Sequence, residues 1–282
     1  MLDAITHRGD RCETLGAEHA TLGLRTWTGR AEGSLAREDD VTMALTGRSL
    51  PALAPREILH RITAGDAANL DGAFALAAWN EPARTLTLAR DPFGMRSLYY
   101  TVVEGALWFA TELKQLLAVP GLTVELDLAA VHKYLTFSFV PGDATLIAGV
   151  RRLLPGHVLT FRDGGVETRA WFTLEESITP IENGPAAKRL WRLGREAVER
   201  RLDASAKVGL YLSGGIDSSA VGLWLKDVGA DVTAFTLDFG AASVEREEAT
   251  AVAKHLGFPL QTVTVDANEL ARVVEEILWK LD

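Results

Sequence analysis

The sequence predicts two regions of different fold class. An α+β region of layered antiparallel sheets runs over 1–172, and an α/β region with a parallel, Rossmann-like sheet runs over 189–282. Three observations support this division. In the first region, short apolar runs rich in Val, Thr, Leu and aromatic residues alternate with Gly, Pro and Asp, as packed strands joined by tight turns do. In the second, helix-like and strand-like stretches alternate strictly, which predicts βαβ units and a parallel sheet covered on both faces. Between them, 173–188 ("TLEESITPIENGPAAK") is polar, carries Pro and Gly, lacks periodicity and reads as a connector.

In the first region the strand runs are "VTMAL", "GAFALAAW", "TLTLA", "SLYYTVV", "ALWFAT" and "HVLTF". Helices are expected only over "LAPREILHRITA" and "ATELKQLLAV". The second region reads as helix "AAKRLWRLGREAVERRL", strand "VGLYL", helix "SSAVGLWLKD", strand "DVTAFTLDF", helix "EREEATAVAKHL", strand "LQTVTV" and helix "NELARVVEEILWKL". Arg90 and Asp91 are expected to form a structural ion pair, and His157 a turn contact after Pro155-Gly156.

Composition narrows the function classes. A chain of 282 residues, 48% of them hydrophobic, is long enough for two domains that each bury a core. A net charge of −9 argues against a nucleic-acid partner, because phosphate contacts need clustered Lys and Arg. One cysteine, Cys12, allows neither an internal disulfide nor a thiolate metal cluster and suits a reducing compartment. Neither a signal peptide nor an apolar run of membrane-spanning length is evident, so a cytoplasmic location without a membrane partner is expected.

Ser213-Gly214-Gly215-Ile216-Asp217-Ser218-Ser219 follows the first strand of the parallel sheet and opens its first helix. A helix start presents unpaired backbone N–H groups and the positive end of the macrodipole, and glycines let a backbone approach an anion closely. This is a phosphate-binding arrangement at the carboxyl end of a strand. No Lys follows the glycines and no GxGxxG is present, so neither the Lys-bearing phosphate loop nor the dinucleotide fingerprint applies. A glycine-rich turn capped by Asp217 is the plain alternative.

The loop resembles the SGGxDSS pyrophosphate loop of the ATP-pyrophosphatase superfamily, in which ATP is cleaved to AMP and pyrophosphate as a carboxylate is adenylylated. Upstream, "LDGAFALAAWN", "RDPFGMRSLYY", "FATELKQLL", "TFSFVPGDATL" and "GVRRLLPGHVLTF" resemble, in order and spacing, the glutaminase half of glutamine-dependent asparagine synthetases, with "ITHRGD" a weaker match. The resemblance implies an N-terminal-nucleophile-type domain of αββα-like layering, then part of a PP-loop domain. It implies an ATP-dependent amide-forming ligase with ATP and Mg²⁺ as cofactors and a carboxylate substrate, aspartate or a peptide. It places ATP or pyrophosphate against Leu212, Ser213, Gly214, Gly215, Asp217, Ser218, Ser219 and Leu237, with Asp217 also the candidate Mg²⁺ ligand.

The chain departs from the family at the glutaminase site. The family's nucleophile is a cysteine made N-terminal, whose own amine acts as base; here residue 2 is Leu2, and Cys12 is internal. Where the family has Asn-Gly-Glu the chain has Thr46-Gly47-Arg48, a cation replacing the acceptor for the substrate ammonium. Where it has an arginine after LGH the chain has Thr26, with Arg25 one position before it, and a further acidic position falls near Ala54 and Pro55. The glutaminase site is therefore expected to be inactive, with Arg25, Thr46, Gly47 and Arg48 as its remnants. The family's second loop, SGEGxDE, is not found before Asp282, so the chain is expected to be shortened at its start and truncated at its end; either a partner chain supplies the remainder, or the chain is a fragment or decayed gene product, or the sequence was cut there. Three readings stay open: a diverged asparagine synthetase; a ligase using an internal amine, as β-lactam synthetases and lasso-peptide cyclases do; and a non-catalytic ATP-binding subunit.

Overall fold

The computed structural model describes all residues except 30–32, 68, 177, 203–206, 241–244 and 282. The chain divides into two units, Met1–Glu175 and Glu176–Leu281. In the first, a 3-10 helix over Leu2–Arg8 leads into strands β1 (Arg11–Gly16), β2 (Thr21–Thr26), β3 (Ser34–Glu38) and β4 (Val41–Leu50). Helix α1 (Pro55–Ala64), strands β5 (Asp71–Asn80), β6 (Thr85–Arg90), β7 (Tyr99–Val103) and β8 (Ala106–Ala110), and helices α2 (Leu113–Leu116) and α3 (Leu128–Phe137) follow. Strands β9 (Arg151–Arg152), β10 (His157–Arg162) and β11 (Gly165–Ala170) complete the unit. The sheets are β11-β10-β6-β5-β4-β3, β8-β7-β9 and β1-β2, all antiparallel.

Strand alternation sorts the apolar side chains into layers, because successive residues point to opposite faces. Phe74 and Leu76 of β5 join Leu45, Ala89 and Val158 on one face of the large sheet, where Ile58 and Ile62 of α1 cover them. Both isoleucines are fully buried, contributing about 1.5–3 kcal/mol each. Ala75, Ala77 and Trp79 point the other way and meet Leu22 of β2 and Tyr100 of β7. On the far face of the β7–β8 pair, Trp108 and Ala110 pack with Leu113 and Leu116 of α2. The result is helix, sheet, sheet, helix, the layering expected.

"RDPFGMR" is the clamp between these layers. Arg90 donates Nε, Nη1 and Nη2 to the carbonyls of Arg96, Leu153 and Gly94 at 2.6, 2.7 and 2.8 Å. Asp91, with no exposed surface, accepts the N–H groups of Phe93, Met95 and Arg96. Both residues are structural, but each holds loop backbone, whereas the sequence suggested an ion pair with each other. His157 Nδ1 lies 2.9 Å from the Pro155 carbonyl, in the turn expected for it.

Other elements differ from the pattern in the sequence. Helix α2 keeps only the middle of "ATELKQLLAV". Phe109 and Ala110 continue β8, a capping box between Glu112 and Gln115 starts the helix late, and Pro120 disfavours helical backbone at Val119. Strands β1, β2, β3 and β11 and helix α3 had no clear signal. Strand β11 exposes every residue, so it has no alternation to read, and α3 ("LAAVHKYLTF") is apolar on several faces.

The second unit contains α4 (Asn183–Arg201), β12 (Val208–Tyr211), α5 (Ile216–Asp227), β13 (Val232–Asp238), α6 (Arg246–Leu256), β14 (Leu260–Thr264) and α7 (Ala267–Leu281). Helix α4 already begins at Asn183, inside the stretch read as connector. Strands β12, β13 and β14 pair in that order, all parallel, as the strict alternation predicted. Leu210, Leu212, Leu225, Val232, Ala234, Ala249 and Ala253 form the core. Glycines let the helices approach closely: a Cβ on Gly194 of α4 would lie 2.2 Å from the Trp224 ring of α5, and one on Gly222 would lie 2.6 Å from Leu256 of α6. Among the described residues no helix is long and apolar enough to cross a membrane.

Candidate functional site

The loop over 213–219 leaves the carboxyl end of β12 and enters α5 with Gly215 as its N-cap. The Leu212 N–H donates to Phe235 O at 2.8 Å, which holds the last residue before the loop in the sheet. The Ser213 hydroxyl accepts the Gly215 N–H at 3.2 Å and lies 3.1 Å from the Ser218 hydroxyl, which accepts the Ser213 N–H at 3.3 Å and reaches Gly215 O at 3.2 Å. This small ring of hydroxyls and amides folds the loop around the helix start. Gly214 has φ +79°, and a Cβ there would sit 2.4 Å from Glu248 Cβ and 2.7 Å from Glu248 C. Backbone conformation and the approach of α6 both require glycine. Ser219 Oγ is buried without a hydrogen-bond partner, and Asp217 is exposed on the first turn.

The other two nucleotide candidates are placed differently from the loop. The Leu212 side chain is 1% exposed and belongs to the core, so its backbone is the part of it next to the loop. Leu237 is 37% exposed near the end of β13, paired with Val263. Sequence reasoning passed over its neighbour Asp238. Buried at the carboxyl end of β13, Asp238 accepts the Gly240 N–H at 3.0 Å and pairs with Arg246 of α6 at 3.0 Å. An Asp closing a strand just before a glycine was the available signal.

In the first unit a cavity of about 570 Å³ opens between the layers. Leu2, Leu24, Leu45, Leu98 and Phe109 supply apolar wall, and Thr14, Thr26 and Thr46 supply hydroxyls. Its charged lining is Arg8, Arg25, Arg96 and Glu112. Arg25 donates Nε to Gly9 O at 2.8 Å and Nη1 to Leu2 O at 3.1 Å, which fixes its guanidinium. Of the expected remnants, Arg25 and Thr46 line this cavity. Gly47 and Arg48, the next residues of β4, do not. Gly47 has its own requirement: φ is +79° and a Cβ would fall 2.0 Å from Ala73 O. Cys12, exposed on β1, is not on the cavity wall either. Ala54 caps α1 and Pro55 opens it.

Glu112 is the one acidic side chain on that wall, and it is already balanced. Its carboxylate pairs with Arg8 and with the buried Lys114, and His7 Nε2 lies 3.1 Å away. Burial pushes the Glu112 carboxyl up, but the hydrogen bonds and charges of Lys114 and Arg8 outweigh it and hold the group below its ordinary value.

Comparison with known proteins agrees with both units. Residues 58–172 match a glutamine amidotransferase domain and residues 190–282 match asparagine synthase. The chain is 31% identical over 220 residues to asparagine synthetase [glutamine-hydrolyzing] 1 of Bacillus subtilis, covering 77% of this chain and 34% of that one. It is 33% identical over 223 residues to a putative glutamine-hydrolyzing asparagine synthetase of Mycobacterium bovis, covering 76% and 34%. It is 35% identical over 237 residues to amidase chyE of Penicillium rubens, covering 75% and 34%. The chain thus spans about a third of the length of these curated relatives. With an amidotransferase domain followed by an asparagine synthase domain, and with relatives matched across both, the chain belongs to the glutamine-dependent asparagine synthetase family.

Proposed function

We propose that this chain supplies the ATP-handling loop of an amide-forming ligase that activates a carboxylate by adenylylation, and that its first-unit cavity does not hydrolyse glutamine. The carrying observation is the loop: Gly214 pressed against Glu248, with Ser213 and Ser218 folded around the start of α5. In the reaction, a carboxylate oxygen attacks the α-phosphorus of ATP and pyrophosphate departs; an amine then attacks the acyl-adenylate, AMP leaves and the amide forms. The loop's contribution is to hold the leaving pyrophosphate with backbone N–H groups at the helix start, where negative charge builds. The Ser213 and Ser218 hydroxyls and the buried, unpartnered Ser219 Oγ fit a phosphate-rich ligand as further donors. Asp217 offers the hard oxygen that Mg²⁺ takes alongside phosphates, and Mg²⁺ when bound neutralises phosphate charge. Aspartate or a peptide carboxylate is the acceptor class, and the cytoplasm is the compartment.

The cavity supports the second half of the proposal. Among the described residues no cysteine lies on its wall, and the one carboxylate there, Glu112, is committed to Arg8 and Lys114 rather than open to a substrate ammonium. This favours an internal amine over glutamine-derived ammonia as the nitrogen source. ATP–pyrophosphate exchange, measured on the chain alone and with a polypeptide bearing SGEGxDE, tests the loop. Exchange that vanishes in Gly214→Ala is expected; exchange unaffected by Gly214→Ala would sink the reading. Glutamate release from glutamine tests the cavity, and turnover above a heat-treated control would refute its inactivity.

A further inference from the structure

Strand β11 ends the six-stranded sheet, and every one of its residues is exposed. The opposite end, β3, is partly buried. Edge strands usually carry a proline, a lysine or a bulge that discourages pairing with another chain. "GVETRA" has neither proline nor lysine, and it pairs with β10 without interruption from Gly165 to Ala170.

The direction of its free backbone groups follows from the hairpin. Only Asp163 and Gly164 join β10 to β11, both at positive φ (50° and 81°), in a tight turn that fixes Arg162 opposite Gly165. The Trp171 N–H donates to Gly156 O at 2.9 Å in the same register. Hydrogen-bonded and non-bonded pairs alternate along an antiparallel ladder, so Gly165, Glu167 and Arg169 turn their N–H and C=O groups to β10. Val166, Thr168 and Ala170 turn theirs outward. Side chains alternate too, and Arg169 Nη2 donates to Ile62 O of α1 at 3.1 Å, so Glu167 and Arg169 share the α1 face.

We propose that β11 docks against β11 of a second copy of this chain, antiparallel about a two-fold axis through Thr168. Bonds form only between outward residues, which leaves few registers, and charge selects one of them. With Thr168 opposite Thr168, Val166 of each copy bonds Ala170 of the other. Glu167 then stands opposite Arg169 twice, at the non-bonded positions where side chains approach most closely. Moving the axis by one residue sets Glu167 against Glu167 or Arg169 against Arg169, and like charges directly opposite are destabilising. A contact of this kind uses the same patch on both copies, so it closes as a dimer with one continuous sheet and does not propagate into a filament.

Sedimentation of the full chain from about 1 to about 500 µM tests this, because so small a contact associates weakly. The mass is expected to rise toward that of two chains and no further. Thr168→Pro removes an outward N–H while sparing the bonds to β10, a place where edge strands accept proline. It is expected to weaken association at least about tenfold with the circular dichroism melt in place. Glu167→Arg and Arg169→Glu are each expected to weaken association severalfold, and the two together to restore it, a rescue that loss of folding does not produce. A chain that stays monomeric at every concentration overturns the proposal. So does association that survives Thr168→Pro, or a double variant that associates no more tightly than the single ones.

Discussion

The glycine loop over 213–219 and the first-unit cavity are built by opposite means. The loop is seven consecutive residues whose shape comes from backbone: a left-handed glycine, a helix start, and two serines bonding amides within a few residues. The cavity draws its wall from positions between Met1 and Gln115, carried by strands of different sheets, and its character is set by side chains. A site made of backbone tolerates little change and keeps its motif. A site made of scattered side chains can change its chemistry one substitution at a time while the sheets persist, as Thr46 on an intact β4 illustrates.

The sharpest way to break this contrast is at Glu112. Glu112→Ala removes the carboxylate that the buried Lys114 and the half-exposed Arg8 share and is expected to cost about 3–5 kcal/mol of first-unit stability. Denaturant unfolding reads this, and a loss under about 1 kcal/mol would show the network to be solvated. Gly214→Ala comes next, at about 2–4 kcal/mol, since it forces a positive φ and a contact with the α6 backbone together. ATP binding should disappear while first-unit hydrogen exchange stays unchanged; retained ATP binding would mean the glycine serves packing alone.

Glu112→Gln sharpens the comparison by pH. The folded carboxyl lies below its ordinary value, so the unfolded chain binds the extra proton first, and stability is fully present above about pH 4.5 and falls as pH drops through the folded value. The variant should unfold with a flatter dependence below that pH, and an unchanged acid limb would assign the acid sensitivity elsewhere. The smallest effect is expected from Cys12→Ser, within about 0.5 kcal/mol, because the thiol is exposed and off the cavity wall. A loss above about 1 kcal/mol in denaturant unfolding of that variant would show the thiol to be packed after all.

How much could be read ahead of the structure follows the same division. The second unit was legible almost element by element, because βαβ segments alternate in composition and each helix is long enough to show its period. Buried strands β4, β5, β6 and β10 were legible for their apolar runs. Strand β11, exposed throughout, and β1, half solvated, carry no such pattern. Arg90 and Asp91 stood out as a pair, but their carbonyl and amide partners lie up to 63 residues away, so the clamp they form was invisible. Asp238 and Arg246 were separated by a loop and gained meaning only from α6 returning beside β13.

Local chemistry along the chain was enough to determine the alternation of elements and the absence of a second thiol, and to mark 213–219 as a candidate loop, since each depends on neighbours within a turn or on simple counting. Tertiary structure decided that Glu112 is neutralised, that Leu212 is core, and that Arg25 and Thr46 share a cavity while Arg48 and Cys12 stay off its wall. Those outcomes depend on which distant side chains meet across two sheets, and electrostatics and burial are properties of the meeting rather than of any residue alone.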